Sequence, residues 1–296
     1  MNPISRREFV KLTTVGAVVA THTPAAITAQ EIVDRIRQKI GADWKAETLD
    51  TFKAGDPATP VKGIVTTAMA TMPALRQAVK AGANFVITCE PTFYSRSDAA
   101  TPPAGRRGGP TPQPDPVFTA KNEFIKNNGL VIWRFSDHWR QRKPDPLAIG
   151  LADAFGWSRF RAADDTSRVT IPGASLDALA SDLKKKLNAR GGIRVVGDPK
   201  LKVQKIGLLP GTTPIQAALQ LLPSVDAVIA GEVREWESVE YVHDKVTAGE
   251  KKGLILLGRV VSEDPGMKVC AQWVQPIVPE VRTTWIPVGD PYWRPV

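Results

Sequence analysis

The sequence predicts an α/β fold built from two similar halves, each with a mixed sheet flanked by helices. The first reason is an internal repeat, because residues 61–91 and 203–233 share the order strand, helix, strand at a nearly constant offset. The second is composition: 296 residues with 43% hydrophobic and 23% charged side chains are typical of a globular chain with one large or two modest domains. We expect two halves, 30–165 and 166–296, after a signal segment at 1–29.

The chain opens with the features of a twin-arginine signal peptide. Arg6 and Arg7 are followed by a short apolar stretch at 12–20 and by small residues at 25–29, in the order that such signals have. The apolar stretch is about half of the ~20 residues that span a membrane, which argues against a permanent membrane anchor. We expect cleavage near Ala29 and a periplasmic protein. Export in the folded state would allow a cofactor to be loaded in the cytoplasm.

The basic charge of the chain does not indicate a nucleic-acid partner. The formal charge is +9, and the signal segment takes away three basic residues and one acidic residue, which leaves about +7 spread along the chain. The densest basic clusters, Lys184–Lys186 and Arg106–Arg107, have no interleaved aromatic residues of the kind that nucleic-acid binding favours. We interpret the charge as a solvated surface and expect no nucleic-acid partner.

Each copy of the repeat predicts two strands separated by a helix. Thr71, Pro73 and Gly82 are start and stop signals for the helix of the first copy. The predicted elements are 63–65, 74–81 and 85–88 in the first copy, and 205–209, 215–222 and 227–230 in the second. A glutamate follows the last strand of each copy, Glu90 and Glu232. Ligand sites form at the carboxyl ends of strands, so both glutamates are candidates for a site, with surface or helix-capping carboxylates as the alternative.

Further elements are predicted between and after the two copies. Residues 95–116 are rich in proline and glycine, which predicts a long surface loop. Apolar periodicity then predicts a helix at 118–127, a buried strand at 130–135 and a last strand at 253–258. Polar residues follow both of these strands directly, as they do in the repeat.

The predicted strand ends carry residue types that bind divalent transition metals. Thiolate, imidazole and carboxylate groups are the usual ligands of zinc, manganese, iron and nickel. No closely spaced pair of histidines strengthens this interpretation, and His138 is equally consistent with a structural histidine. The candidates at these four strand ends are Cys89 with Glu90, Asp137 with His138, Glu232, and Glu263.

The cysteines and tryptophans leave alternatives open. A disulfide between Cys89 and Cys270 is allowed in an oxidising compartment, but the sequence does not establish that they pair. Cys270 lies in an apolar run, and we interpret it as a buried small hydrophobic residue. Trp133, Trp139 and Trp236 lie near the same strand ends and are interpreted as core residues, with stacking on a ligand as the alternative.

Five segments in this order resemble the Nif-three-like family, whose members are known as dinuclear-metal-centre hexameric proteins or type-two GTP cyclohydrolase I homologues. The resemblance spans nearly the whole mature chain. It implies two α/β halves that face each other across a two-metal site, and subunits assembled into a toroidal homohexamer. The segments are ITCEPTFY from Ile87, WRFSDHW from Trp133, VVGD from Val195, AGEVREWE from Ala230 and GRVVSE from Gly258.

The chain departs from this family at the positions that matter most for a metal. The resemblance implies histidine at four positions where this chain has Cys89, Ser136, Arg140 and Arg259. Cysteine can replace histidine as a ligand, whereas arginine cannot coordinate a cation and adds a fixed positive charge. Glu90, Asp137 and Glu263 remain at positions that the family uses or places beside ligands. The chain therefore resembles an exported branch of the family with altered metal ligands.

Two hypotheses from different functional classes follow. In the first, the protein is a metal-dependent hydrolase whose metal ligands hold one or two divalent ions that activate a water molecule. His138 or Glu232 would then move the proton. The metal ligands of this hypothesis are Cys89, Glu90, Asp137 and Glu263.

In the second hypothesis, the protein is a non-catalytic member of the family that has lost its metal. Arg140 and Arg259 would pair with the carboxylates or hold an anion such as phosphate or a carboxylate of an unknown small molecule. The local charge separates the two hypotheses, because a metal site needs an excess of carboxylate and thiolate. The other arrangement requires arginines that point into the site.

Overall fold

Two five-stranded mixed sheets flanked by helices form the fold, which confirms the predicted α/β class. The computed structural model describes residues 26–41, 43–96, 98–99 and 115–295. The twin-arginine segment and most of the predicted loop 95–116 therefore lie outside the described residues. Within the described ranges, no helix is both long enough and apolar enough to cross a membrane.

The first sheet has the strand order β1-β4-β3-β2-β10, with β10 at Thr283–Trp285, and only β1 runs antiparallel to its neighbour. Strands β2, β3 and β4 are fully buried, as expected for a parallel sheet covered on both faces. The elements of this half are α1 (Ala29–Lys39), β1 (Phe52–Ala54), β2 (Ile64–Thr67), α2 (Met72–Lys80), β3 (Phe85–Thr88), α3 (Pro116–Asn127), β4 (Val131–Arg134), α4 (Asp137–Gln141) and α5 (Pro146–Ala154).

The second sheet has the strand order β5-β7-β8-β9-β6, with β7, β8 and β9 parallel and the two edge strands antiparallel. Its central strands β8 and β9 are buried almost throughout. The elements are β5 (Arg168–Ser175), α6 (Leu176–Lys186), β6 (Arg194–Val196), β7 (Lys202–Thr212), α7 (Ile215–Leu221), β8 (Ala227–Glu232), α8 (Glu240–Thr247), β9 (Gly253–Leu256), α9 (Arg259–Val274) and β10 (Thr283–Trp285).

Both copies of the internal repeat have the predicted order strand, helix, strand, and their strands lie inside the two sheets. In the first copy β2, α2 and β3 follow one another, and in the second copy β7, α7 and β8 do so, with parallel strands in both. Local signals explain the helix of the first copy. The Thr71 hydroxyl accepts a hydrogen bond from Ala74 N–H at the helix start, and Gly82 adopts a φ of 74° just after the helix end.

Helix α9 joins the two halves and is the main element that the sequence did not predict. It begins at Arg259, directly after β9, and packs against β2 of the first sheet and β7 and β8 of the second. The Thr66 hydroxyl on β2 donates a 2.7 Å hydrogen bond to the carbonyl of Met267 on α9. After α9, β10 pairs with β2, so residues 283–285 of the expected second half lie in the first sheet. The expected division at 165/166 stays a prediction.

The N-terminal helix α1 begins where the sequence predicts signal cleavage. The Thr28 side chain accepts a hydrogen bond from Glu31 N–H, while the Glu31 carboxylate accepts one from Thr28 N–H, a capping box that satisfies both donors. The amide of Val61 also donates to the carbonyl of Ile27. Cleavage near Ala29 stays a prediction, and a cut after Ala29 would remove a cap of the kind that contributes about 1 kcal/mol.

Helices α5 and α9 cross at glycines that allow close approach of their backbones. A Cβ at Gly150 would lie 2.5 Å from Gly266 N and from the carbonyl of Pro265, closer than any side chain fits. We predict that Gly150→Val lowers the free energy of unfolding by about 3 kcal/mol, because it forces the two backbones apart. Chemical denaturation measures this, with Ala120→Val on the exposed face of α3 as the control. Equal stability of the two variants would contradict the close packing.

Candidate functional site

Four charged side chains meet where the first sheet and α9 come together, and we call them the Arg–Glu cluster: Glu90, Arg140, Arg259 and Glu263. Glu90 follows β3, Arg140 lies on the short helix α4 after β4, and the other two lie on the first turns of α9. The carboxyl ends of the strands therefore supply the site, as the sequence analysis expected.

The two arginines point into the cluster and share its carboxylates. Arg140 Nη2 donates to Glu90 Oε1 at 2.5 Å and to Glu263 Oε1 at 2.7 Å. Arg259 Nη2 lies 2.9 Å from Glu90 Oε1 and 2.8 Å from Glu90 Oε2. Glu90 thus receives both guanidinium groups, and Arg140 joins a carboxylate of the first half to one on α9.

Burial and ion pairing shift the pKa values of Arg140 and Glu263. Glu90 and Glu263 are buried, while Arg140 and Arg259 keep 27% and 37% of their side chains exposed. Burial alone would lower the pKa of Arg140, but the neighbouring Cys89, Glu263 and Glu90 raise it, so this guanidinium stays charged. Burial raises the pKa of Glu263, against the effect of Arg140. If Glu263 becomes protonated, the cluster carries a net positive charge.

Cys89 lies beside the cluster as a buried thiol. One ligand atom each from Cys89, Glu90 and Glu263 lies within 4.8 Å of the others, so this group could hold a metal ion. Burial raises the pKa of the Cys89 thiol to about 12 despite the nearby Arg140, and burial likewise raises that of Cys270 well above its usual value. Both cysteines are free and buried, and the interpretation of Cys270 as a buried small hydrophobic residue is confirmed.

The residues present fit one metal ion by distance but not by charge. A metal ligand must be deprotonated, and the Cys89 thiol would have to lose a proton that its environment retains. Glu90 and Glu263 Oε1 already accept hydrogen bonds from guanidinium groups, although Glu263 Oε2 has no partner among the described residues. Two guanidiniums balance two carboxylates, so no excess negative charge attracts a dication. A two-metal centre does not fit this set of side chains.

Asp137 does not belong to the group of three possible ligands. Its Oδ2 accepts hydrogen bonds from the Thr48 hydroxyl at 2.9 Å and from Leu49 N–H at 2.8 Å. Partial burial alone would raise the pKa of Asp137, but these hydrogen bonds lower it below its usual value. The carboxylate therefore fastens the segment before β1 to the start of α4, and it stays apart from Cys89, Glu90 and Glu263.

His138 has the environment of a structural histidine. Nδ1 lies 2.7 Å from Asp50 Oδ2, and Nε2 accepts a 3.1 Å hydrogen bond from Lys45 N–H. The ring is fully buried and stacks on Trp44 with centroids 3.8 Å apart. Both ring nitrogens are occupied, so the geometry favours the structural interpretation over a proton-transfer role.

Glu232 lies at the rim of the cluster, and two of the three candidate tryptophans lie in the core. Glu232 is 55% exposed, and its Oε2 lies 3.9 Å from Arg259 Nη1, too far for a hydrogen bond but within range of a charge interaction. Trp133 and Trp139 are fully buried in the core around Phe135, whereas Trp236 is 73% exposed. Core packing is thus observed for two of the three tryptophans.

Two residues that support the site were missed by the sequence analysis. Asp50 is buried and accepts four hydrogen bonds: from the amides of Ser136, Asp137 and His138 and from the His138 ring, at 2.5 to 2.9 Å. It thereby fixes the start of α4, which carries Arg140. Gly211, at the end of β7, has a φ of 81°, and a Cβ there would lie 2.7 Å from Arg140 Nη1.

Asp50 has no sequence motif that could have marked it. Gly211, in contrast, lies in the Gly211-Thr212-Thr213 turn that links strand and helix in the second repeat copy. Its φ of 81° favours glycine, and a side chain there would also displace the ends of Arg140 and Glu263.

Comparison with solved structures identifies proteins of the same fold. The chain superposes on a hypothetical protein of Staphylococcus aureus, SA1388, with a TM-score of 0.66, 13% identity and coverage of 91% of this chain and 99% of that one. A Bacillus cereus protein related to NIF3 superposes with a TM-score of 0.66 and 13% identity, and the match covers 92% of this chain and 100% of that one. The protein ybgI, of unknown function, superposes with a TM-score of 0.62 and 19% identity, and the match covers 90% of this chain and 100% of that one. No family model matches the sequence, and no curated protein matches it significantly.

The carboxylate of Asp50 gives the first test of this site. We predict that Asp50→Ala lowers the free energy of unfolding by about 3 kcal/mol, because several buried donors lose their acceptor. Thermal and chemical denaturation measure the effect, with the exposed Asp244→Ala as the control, expected to change stability by less than about 0.5 kcal/mol. Equal stability of both variants would show that Asp50 does not hold α4.

Proposed function

We propose that this protein is an exported, non-catalytic member of the Nif-three-like family in which the Arg–Glu cluster replaces the two-metal centre, and that it binds a small organic anion. The observation that carries the proposal is the contact of both Arg140 and Arg259 with Glu90, at 2.5 Å and 2.8 Å. The likeness of fold to a protein related to NIF3 supports the choice of family.

Electrostatics favours this proposal over a metal centre. Two unit charges 4 Å apart interact by about 4 kcal/mol at an effective dielectric constant of 20, and a dication doubles that repulsion for each guanidinium. The carboxylates that would offset the repulsion are already neutralised by Arg140 and Arg259. An incoming anion, in contrast, meets the exposed sides of the same two guanidiniums.

The Arg–Glu cluster would also stabilise the fold of a protein that catalyses no reaction. Removal of one partner from a buried ion pair costs about 3–5 kcal/mol, because it leaves an uncompensated charge. Glu90 and Glu263 are 2% and 0% exposed, so Glu263 depends on Arg140, and Glu90 depends on both arginines. Once arginines had taken the place of metal ions, their loss would destabilise the junction of the two halves.

A metal-dependent hydrolase is the second candidate, and one observation favours it. Cys89, Glu90 and Glu263 offer ligand atoms within 4.8 Å, and Glu263 Oε2 has no partner in the described part of the chain. In this case Arg140 would turn out towards solvent, and one bound ion would supply an activated water molecule. Glu232 at the rim would accept the proton, since His138 has both ring nitrogens occupied.

Metal content decides between the two candidates. We predict that protein purified without chelators carries far less than one transition-metal ion per chain by elemental mass spectrometry. The double variant Arg140→His, Arg259→His should gain about one ion, because it exchanges two positive charges for two imidazole ligands. Arg76→His, on the exposed face of α2, is the control and should gain none. A stoichiometric ion in the native protein that Glu263→Gln loses would instead establish the metal site.

Export by the twin-arginine route is a separate part of the proposal. We predict that the Arg6→Lys, Arg7→Lys double variant lowers the periplasmic fraction at least about tenfold, because the paired arginines are what the export machinery reads. Cell fractionation and immunoblotting measure this in a bacterium with the pathway, and Lys11→Arg is the control. Unchanged periplasmic protein in the double variant would contradict the route.

A further inference from the structure

We propose that a cavity beside the Arg–Glu cluster binds a small organic carboxylate with an apolar body, held by Arg259 and Arg294 and covered by Tyr292. The inference rests on the proposed anion-binding function and names its ligand class. The cavity measures about 630 Å³, a size that suits a small molecule. It lies at the carboxyl ends of β8 and β9, the edge of an α/β sheet where ligands bind.

Arg259 connects the cavity to the cluster. Its Nη2 is held by Glu90, and its buried Nε lies 4.0 Å from Glu263 Oε1, whereas its Nη1 has only a 3.9 Å contact with the exposed Glu232. One end of this guanidinium is therefore fixed, while Nη1 can donate to a ligand carboxylate. Because Glu90 fixes the orientation of Arg259, binding of a ligand costs less conformational entropy.

The first turn of α9 strengthens the positive potential of this wall. Gly258 precedes the helix with a φ of 89° and has no side chain to cap the first amides of the helix. Gly258, Arg259, Val260 and Val261 all line the cavity. The partial positive charge of a helix start adds to that of Arg259, although the arginines and the cavity carry the proposal.

The C-terminal segment forms the opposite wall and is fitted closely to the protein. Arg294 donates from Nε to the carbonyl of Gly191 at 2.6 Å, and the Asp290 carboxylate accepts from Gly191 N–H at 2.7 Å. Gly192 has a φ of 82°, and a Cβ there would lie 2.5 Å from Arg294 Nε. The Gly191–Gly192 turn therefore has the one residue type that lets Arg294 and Tyr292 approach the cavity.

Charge and polarity together select a monoanion. Of the arginines that line the cavity, Arg259 pairs with Glu90 and Arg194 with Glu235, whereas Arg294 has no salt bridge among the described residues. Glu232 and Asp290 also line the cavity, and they would repel a dianionic phosphate more strongly than a monoanion. Apolar side chains such as Val233, Leu256 and Val260 complete the lining, and the exposed Tyr292 ring can stack on a flat ligand. An aromatic or aliphatic carboxylate has both required parts.

Calorimetric titration of the full chain with benzoate tests this site, with inorganic phosphate and benzyl alcohol as alternative probes. We predict saturable 1:1 binding of benzoate and no comparable binding of the other two. Arg294→Gln should weaken benzoate binding at least tenfold and Tyr292→Ala several-fold, while Arg294→Lys keeps the charge and stays within a few-fold of the native protein. The exposed Arg76→Gln is the control.

Three outcomes would overturn the inference. Tighter binding of phosphate than of benzoate would contradict the carboxylate class. Unchanged benzoate affinity in Arg294→Gln would show that benzoate binds at another place. Absence of saturable binding by either anion would exclude the site. Metal content of the same preparation is measured in parallel. A stoichiometric ion together with Arg294-dependent benzoate binding would contradict the non-catalytic function and support the carboxylate site.

Discussion

The junction between the two halves depends on the ion pairs that Arg140 makes with Glu90 and Glu263. Glu90 ends a central strand of the first sheet, and Glu263 lies on α9, which packs against both sheets. Both carboxylates are buried, and an unpaired buried charge costs several kcal/mol. One guanidinium therefore satisfies groups from two separate parts of the chain, and Asp50 holds the helix that presents it.

The same charge balance determines what the site can do. Carboxylates that face guanidinium groups no longer attract a dication, and a thiol whose pKa lies near 12 stays protonated at neutral pH. Arg259 belongs to both features, because Glu90 holds its Nη2 and the residue also lines the cavity. In the function that we propose, the loss of metal chemistry and the gain of an anion site both follow from arginine at this position.

Much of the fold could be predicted from the sequence because its signals are local. Thr71, Pro73 and Gly82 mark the first repeat helix, and Glu90 and Glu263, both expected near strand ends, offer ligand atoms within 4.8 Å of each other. Helix α9 was missed, since Gly258 offers no capping side chain and Pro265 interrupts the helical pattern. Asp50 was missed because its partners lie on α4, far along the chain. The choice between metal ligand and ion pair required the direction of the arginine side chains, which the sequence does not contain.

A crystal structure of the protein grown with excess manganese or zinc, with anomalous data at the metal edge, tests the central claim most directly. The account predicts that Arg140 remains on Glu90 and Glu263, that Arg259 remains on Glu90, and that no anomalous peak lies between Cys89 and Glu263. An anomalous peak there, with Arg140 turned away from the carboxylates, would contradict it and make the protein a metal-binding member of the fold.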